Sequence, residues 1–214
     1  EHVSYSLGLK YFTLGVDRSS DFLMILEKSR RVDEIGNPIR FTYRGVGLCS
    51  PTLIRYSYVA SEIRRIFDFN NINTIAEIGS GYGGQSAVLQ SLQSFSDYII
   101  YDLPEVAELT KKFIWETNPT FKCNIGDLES TYELRLDLLI SNYAFSELNR
   151  AIQDAYLENV ILKSPKGYMV WNSLGQVQLD GYSLADLIRI IPNSQIMPEI
   201  PNTALSNAII FWGN

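Results

Sequence analysis

The stretch Ile75-Ala76-Glu77-Ile78-Gly79-Ser80-Gly81-Tyr82-Gly83-Gly84-Gln85 decides how this chain is read. An apolar run ends in an acid, Glu77. Four glycines follow within six residues, and a polar–apolar pattern from Gln85 to Leu92 then suits a helix. The segment reads as strand, tight glycine turn, helix. Glycine accepts positive φ and lets a ligand approach main chain. The helix start adds unpaired N–H groups and a partial positive charge. The spacing Gly79-x-Gly81-x-x-Gly84 satisfies the dinucleotide fingerprint. A second spacing, Glu77-x-Gly79-x-Gly81-x-Gly83, competes with it. The glycines alone do not choose between them.

Downstream, short apolar runs alternate with amphipathic helices. Strands are expected at 74–78, 98–101, 121–125, 136–141, 168–171, 196–200 and 208–212, and helices at 84–92, 104–116, 147–162 and 183–190. A short connector follows the third strand. This alternation implies a parallel sheet covered on both faces. Only residues 201–207 separate the last two runs, too few for a parallel crossover, so they pair as an antiparallel hairpin. The fold class is thus α/β, a Rossmann-like, mostly parallel seven-stranded sheet closed by a C-terminal antiparallel hairpin. Such a hairpin disfavours the usual dinucleotide fold.

Upstream, residues 1–49 carry weaker signals: a helix over 21–31, a turn at Gly36-Asn37-Pro38 and an ordered loop over 40–47. Ser50-Pro51 then opens a clear helix with Ser as cap and Pro at the first position. Its aromatic stripe reads first as core packing. Two regions follow: residues 1–70 as an N-terminal helical cap and substrate region, and 71–214 as the cofactor-binding core. Residues 1–70 hold ten Lys/Arg against eight Asp/Glu, whereas the remainder holds eight against sixteen.

The net charge of −6 argues against a general nucleic-acid binder. No apolar run approaches the roughly 20 residues that span a bilayer. Cys49 and Cys123 are too few for a disulfide framework, and Cys123 is expected in a buried strand. A reducing cytoplasm is the simplest compartment. The chain begins at Glu1 without an initiator Met and is expected to be a piece of a longer product. Metal-type Cys/His spacing is absent, and the only histidine is His2.

In open α/β sheets the ligand lies beyond the carboxyl ends of the strands. The second strand ends at Tyr101-Asp102-Leu103-Pro104. A carboxylate there can accept both hydroxyls of a ribose, or cap the following helix together with Glu105. After the third strand, Asp127 can accept an adenine amine with Leu128 packing on the ring, or serve as a turn residue. The fourth strand runs into Ser141-Asn142-Tyr143-Ala144-Phe145-Ser146-Glu147, whose polar groups are candidate substrate contacts. Glu147 also suits a helix's first turn. The fifth ends at Trp171-Asn172-Ser173.

Taken together, Glu77-x-Gly79-x-Gly81-x-Gly83, Tyr101-Asp102-Leu103-Pro104-Glu105-Val106 and Gly126-Asp127 resemble the class I S-adenosylmethionine (AdoMet) O-methyltransferases. The segment Ile140 to Leu148 and the closing Asn207 to Gly213 are similar to bacterial sugar O-methyltransferases. The resemblance implies that Glu77, Gly79, Ser80, Gly81 and Gly83 border the methionine part of AdoMet. It implies that Asp102 and Leu103 hold the ribose, and that Gly126, Asp127 and Leu128 meet the adenine. Ser141 and Asn142 would line the boundary between cofactor and acceptor. One departure stands out: plant-type relatives place a catalytic histidine after the fourth strand, where this chain has Asn142-Tyr143-Ala144-Phe145. Acids that would hold a metal near strands four and five are replaced by Ser141-Asn142 and Asn172-Ser173, so no metal is expected.

The expected reaction is methyl transfer to a hydroxyl of a saccharide or other small acceptor. Glu147 is the first candidate base and Tyr143 the second. Arg44, Arg55, Tyr58, Asn142 and Asn172 are candidate substrate contacts. Two other classes stay open: a nicotinamide-dependent oxidoreductase using the same glycine loop, and a non-catalytic binding protein with the same fold.

Overall fold

The structure, a computed structural model, describes residues 3–128 and 135–214. Most of the connector expected after the third strand, and His2, lie outside these residues. The chain divides into two units. The first comprises Glu1–Asn70, Gly81–Ser94 and Pro104–Lys122, the second Asn71–Ser80, Phe95–Leu103 and Cys123–Asn214.

The first unit opens with α1 (Tyr5–Arg18), a helix the sequence reading did not anticipate. Ser4 Oγ caps it by accepting from the Leu7 N–H at 3.2 Å. α2 (Phe22–Lys28) then gives way to a 3-10 turn over Arg30–Glu34, shorter than the helix expected over 21–31. The segment read as an ordered loop is a hairpin, β1 (Phe41–Tyr43) against β2 (Gly47–Cys49), with Phe41 opposite Cys49. α3 (Pro51–Ile66) follows the cap Ser50, whose Oγ accepts from the Leu53 N–H at 3.0 Å. Its buried residues surround the helix axis, from Leu53 and Ile54 to Tyr58, Val59 and Ile63, so α3 is the central rod of this unit. Each fully buried Leu or Ile contributes about 2 kcal/mol. α4 (Gly84–Gln90) and α5 (Pro104–Thr117) complete the unit.

The second unit is built on β3 (Thr74–Ile78), β4 (Asp97–Tyr101), β5 (Cys123–Ile125), β6 (Leu138–Asn142), β7 (Gly167–Trp171), β8 (Gln195–Pro198) and β9 (Ala208–Trp212). Their order is β5-β4-β3-β6-β7-β9-β8. The first five are parallel, and β9 is antiparallel to both β7 and β8, as the short 201–207 gap requires. Cys123 was expected to be buried but is half-buried, because β5 is a three-residue edge strand. The helix expected over 147–162 is instead α6 (Arg150–Tyr156), capped by Asn149, running into a π turn over Leu157–Ile161. α7 (Leu174–Gln178) and α8 (Leu184–Ile190) follow β7.

The core of this unit joins Ala76, Ile99, Leu139, Met169 and Ile210 of the sheet to Val160 and Ile161 of the π turn and Leu187 of α8. Trp212 lies flat over Gly167, where an added Cβ would come within 2.1 Å of the ring. Its indole N–H donates to the Ser164 carbonyl at 3.0 Å. Among the described residues no helix is long and apolar enough to cross a membrane.

Candidate functional site

Strand register brings the candidate residues of the second unit together. Ile78 pairs with Tyr101 on one side and Ser141 on the other, so Gly79 and Asp102, each one step beyond its strand, and Asn142, the last residue of β6, stand level at the ends of three adjacent parallel strands. Brought there by register alone, they occupy the place where open α/β sheets bind ligands.

Glu77 is buried, and its carboxylate accepts from the Tyr98 hydroxyl at 2.7 Å. Burial, then the adjacent Glu77 charge, hold the Tyr98 phenol well above its ordinary range, so it remains a donor. Gly79 has φ 77°, and its N–H donates to the Tyr101 carbonyl at 2.8 Å. An added Cβ would lie 2.0 Å from Ala144 Cβ, so both backbone and space demand glycine here. Ser80 Oγ donates to Asp102 Oδ2 at 3.4 Å, and Asp102 Oδ1 accepts from the Leu103 N–H at 2.8 Å. Leu103 itself is exposed.

Beside this group, Tyr101 packs against Gly126, where a Cβ would meet its ring at 2.3 Å. Burial and then the Asp127 charge raise the Tyr101 phenol. Leu128 packs against the core. Tyr156 stacks edge-on against Tyr101, with centroids 5.9 Å apart. Burial first, and the charge of Asp102 second, push its phenol up to about 12.

β6 divides its polar residues by role. Ser141 is fully buried and committed to structure: its Oγ donates to the Ile78 carbonyl at 3.2 Å and accepts from the Phe145 N–H at 3.1 Å. Asn142 differs. Both its amide atoms are buried and neither has a hydrogen-bond partner. Tyr143 has φ 71°, an uncommon value for a bulky residue, and its hydroxyl donates to Glu199. The exposed Glu147, in a 3-10 turn over Ala144–Glu147, accepts from Asn172 Nδ2 at 2.7 Å through Oε1. Asn172 Oδ1 in turn accepts from the Leu174 N–H at 3.0 Å. Two sequence candidates are thereby joined as one pair.

Glu199 was missed. It is buried, and besides Tyr143 it accepts from the Thr203 N–H at 2.9 Å, the Thr203 hydroxyl at 2.7 Å and Asn207 Nδ2 at 3.0 Å. The available signal was an acid at the end of an apolar run, directly before Ile200-Pro201. The Trp171 indole N–H, at the end of β7, is also buried without a partner.

The remaining candidates lie in the first unit. Gly81 has φ 55° with open space where a Cβ would go, and its carbonyl accepts from Thr110 Oγ1 at 2.6 Å. Gly83, at φ 93°, caps α4 and sits 2.9 Å from Thr110 Cγ2 by the same measure. Arg44 is exposed in the hairpin loop. Arg55 is buried in α3, its guanidinium 5.9 Å from the Tyr56 ring. Tyr58 is buried against Tyr11, with an unpartnered hydroxyl and a phenol raised by burial.

No family model matches the chain, and no curated protein does. Solved structures do. Mitomycin 7-O-methyltransferase MmcR aligns with TM-score 0.51 at 15% identity over 95% of this chain and 66% of its own. The N-terminal domain of EvdMO1 with SAH bound aligns with TM-score 0.50 at 17% identity, over 86% and 94%. An O-methyltransferase family 2 protein from Planctomyces limnophilus in complex with apigenin aligns with TM-score 0.50 at 16% identity, over 73% and 57%. This chain thus spans about two thirds of the mitomycin enzyme and less of the Planctomyces protein. At such identities the likeness establishes fold: the chain has the Rossmann-like fold of these methyltransferases.

Proposed function

We propose that the chain is an AdoMet-dependent O-methyltransferase whose acceptor is a hydroxyl of a sugar or related small molecule. The observation that carries the reading is Asn142. A buried amide with no partner is costly, and this one stands at a strand end beside Gly79 and Asp102. The glycine cradle and the two polar side chains suit a nucleoside carrying a charged amino-acid tail. Under this reading Glu77, Gly79 and Ser80 border the methionine part, Asp102 the ribose, Asp127 the adenine and Asn142 the boundary with the acceptor. Residues 1–70 would supply acceptor-recognising groups and 71–214 the cofactor core. The dinucleotide reading is the weaker one, because the sheet closes with an antiparallel pair.

Bound there, AdoMet supplies an electrophilic sulfonium methyl. The chain must align an acceptor oxygen and receive its proton. Glu147 is free to receive that proton, since Asn172 fixes Oε1 while Oε2 has no protein partner among the described residues. Tyr143 has committed its own proton to Glu199, so it can serve as base only by passing that proton on.

Calorimetry with AdoMet and S-adenosylhomocysteine tests the cofactor. Binding to the native chain and a loss of about tenfold or more in Asp102→Ala are expected. No heat from well-folded protein would sink the reading. Transfer of labelled methyl from AdoMet onto a glycan extract, lowered in Glu147→Gln, tests the acceptor and the base.

A further inference from the structure

The first unit contains a cavity of about 680 Å³, within the usual range of small-molecule pockets. Every residue lining it belongs to that unit. Four rings stand in the walls: Tyr5 and Phe41 lie with centroids 5.0 Å apart, and Tyr82 meets Phe113 edge-on at 4.9 Å. Its floor is the start of α3, Ser50 to Thr52.

Exposure around the cavity is as informative as its volume. Tyr5, Ile39, Phe41 and Leu109 are large apolar side chains left 37–70% exposed, and all four line it. Single exposed apolar residues are ordinary, but several converging on one concavity mark an interaction site.

The charged lining is limited to Asp33, Lys112 and Glu116. Asp33 is already satisfied, its two oxygens accepting from the Ser50 N–H and the Ser50 hydroxyl, each at 2.6 Å. Lys112 and Glu116, one turn apart on α5, place opposite charges at the same wall. A ligand bearing net charge would therefore meet a like charge beside every opposite one, which offsets the gain and leaves its loss of water uncompensated. Of the lining hydroxyls, those of Ser4 and Ser50 already cap α1 and α3, so few polar partners remain for the many hydroxyls of a free sugar.

We infer that this cavity binds an uncharged, flat apolar small molecule of drug-like size, stacked among Tyr5, Phe41, Tyr82 and Phe113. The site stands on the first unit alone and needs neither the cofactor nor the acceptor assignment above.

The test uses prodan, an uncharged naphthalene dye, with the full chain. Expected is a saturable, blue-shifted emission at one dye per chain, weakened at least fivefold in Ile39→Asp and in Leu109→Asp. Both side chains are exposed, so both variants should keep the native thermal unfolding profile. The anionic dye 8-anilinonaphthalene-1-sulfonate should bind at least tenfold more weakly. S-adenosylhomocysteine affinity, measured on the same variants, should not change. The inference is overturned by non-saturable binding, by variants that bind as the parent does, or by preference for the anionic dye. A parallel loss of S-adenosylhomocysteine binding would also overturn it, by assigning the cavity to the cofactor. So would sedimentation showing a dimer that the dye cannot enter.

Discussion

Two polar side chains, one in each unit, are treated in opposite ways. At the end of β6 both amide atoms of Asn142 are buried without partners. Beside the start of α3 the buried Asp33 accepts a short hydrogen bond from Ser50 on each carboxylate oxygen. An orphaned amide costs the protein roughly 1–3 kcal/mol that a polar ligand can recover. A satisfied carboxylate asks nothing of a ligand, and the space next to Asp33 is left to rings. The difference teaches that unpaired polar atoms point to a polar ligand, whereas exposed apolar walls around satisfied polar atoms point to an apolar one.

The most severe way to break this contrast is to fill the glycine cradle. Gly79→Ala places a Cβ on a backbone with φ 77° and on top of Ala144. A loss of about 3 kcal/mol is expected from strain and overlap together, read as a lowered urea midpoint. Unchanged stability would show that the turn relaxes freely. Next comes Ser50→Ala in the first unit, which removes the α3 cap and one donor to buried Asp33. About 2 kcal/mol should be lost in the same assay. Retention of full stability would mean that Asp33 finds another donor.

The third change sharpens the contrast. Asn142→Leu should leave the ligand-free chain as stable as before, or more stable by about 1 kcal/mol, because an unpaired amide is replaced by an apolar group. The same variant should bind S-adenosylhomocysteine at least tenfold more weakly, about 1.4 kcal/mol. Destabilisation without loss of affinity would reverse the reading of Asn142.

Near neutral pH the smallest effects are those of titration, which appear only in alkali. Burial first, then nearby groups, push the Cys49 thiol and the Tyr43 phenol up to about 12, from 9.0 and 10.0. An unfolded chain releases these protons near its ordinary values, so above pH 9 the folded state holds more of them. Stability should therefore fall as pH rises from 9 toward 12, measured as a declining thermal midpoint. At neutral pH a thiol reagent should modify half-buried Cys123 promptly and Cys49 only after denaturation. Two fast thiols would show that the first unit opens readily.

Much of the second unit was legible because its signals are local. Thr74–Ile78 and Ala208–Trp212 were read to the residue, and the short 201–207 gap fixed the antiparallel closure. Position at the strand ends was equally readable, since chain order places residues just after each apolar run. Orientation was not. Ser141 and Asn142 look alike as neighbouring polar residues, yet only packing shows that Ser141 is spent on Ile78 and Phe145. Glu199 reaches Tyr143 across 56 residues, a pairing no local pattern contains. In the first unit α1 escaped notice because Gly8 and Gly15 interrupt its apolar face. The glycines are there because Tyr43 with Pro51, and Phe22, pack onto them.

The placement of the tryptophans gives the molecule its own optical readout. Trp171 and Trp212 are 4% exposed in the second unit, and Trp212 is pinned over Gly167 by its bond to Ser164. Trp115 of α5, in the first unit, is 62% exposed. Short-wavelength emission therefore comes from the sheet, while the red-shifted component accessible to a quencher comes from α5. Unfolding followed at the two wavelengths separates the melting of one unit from that of the other, with no label attached.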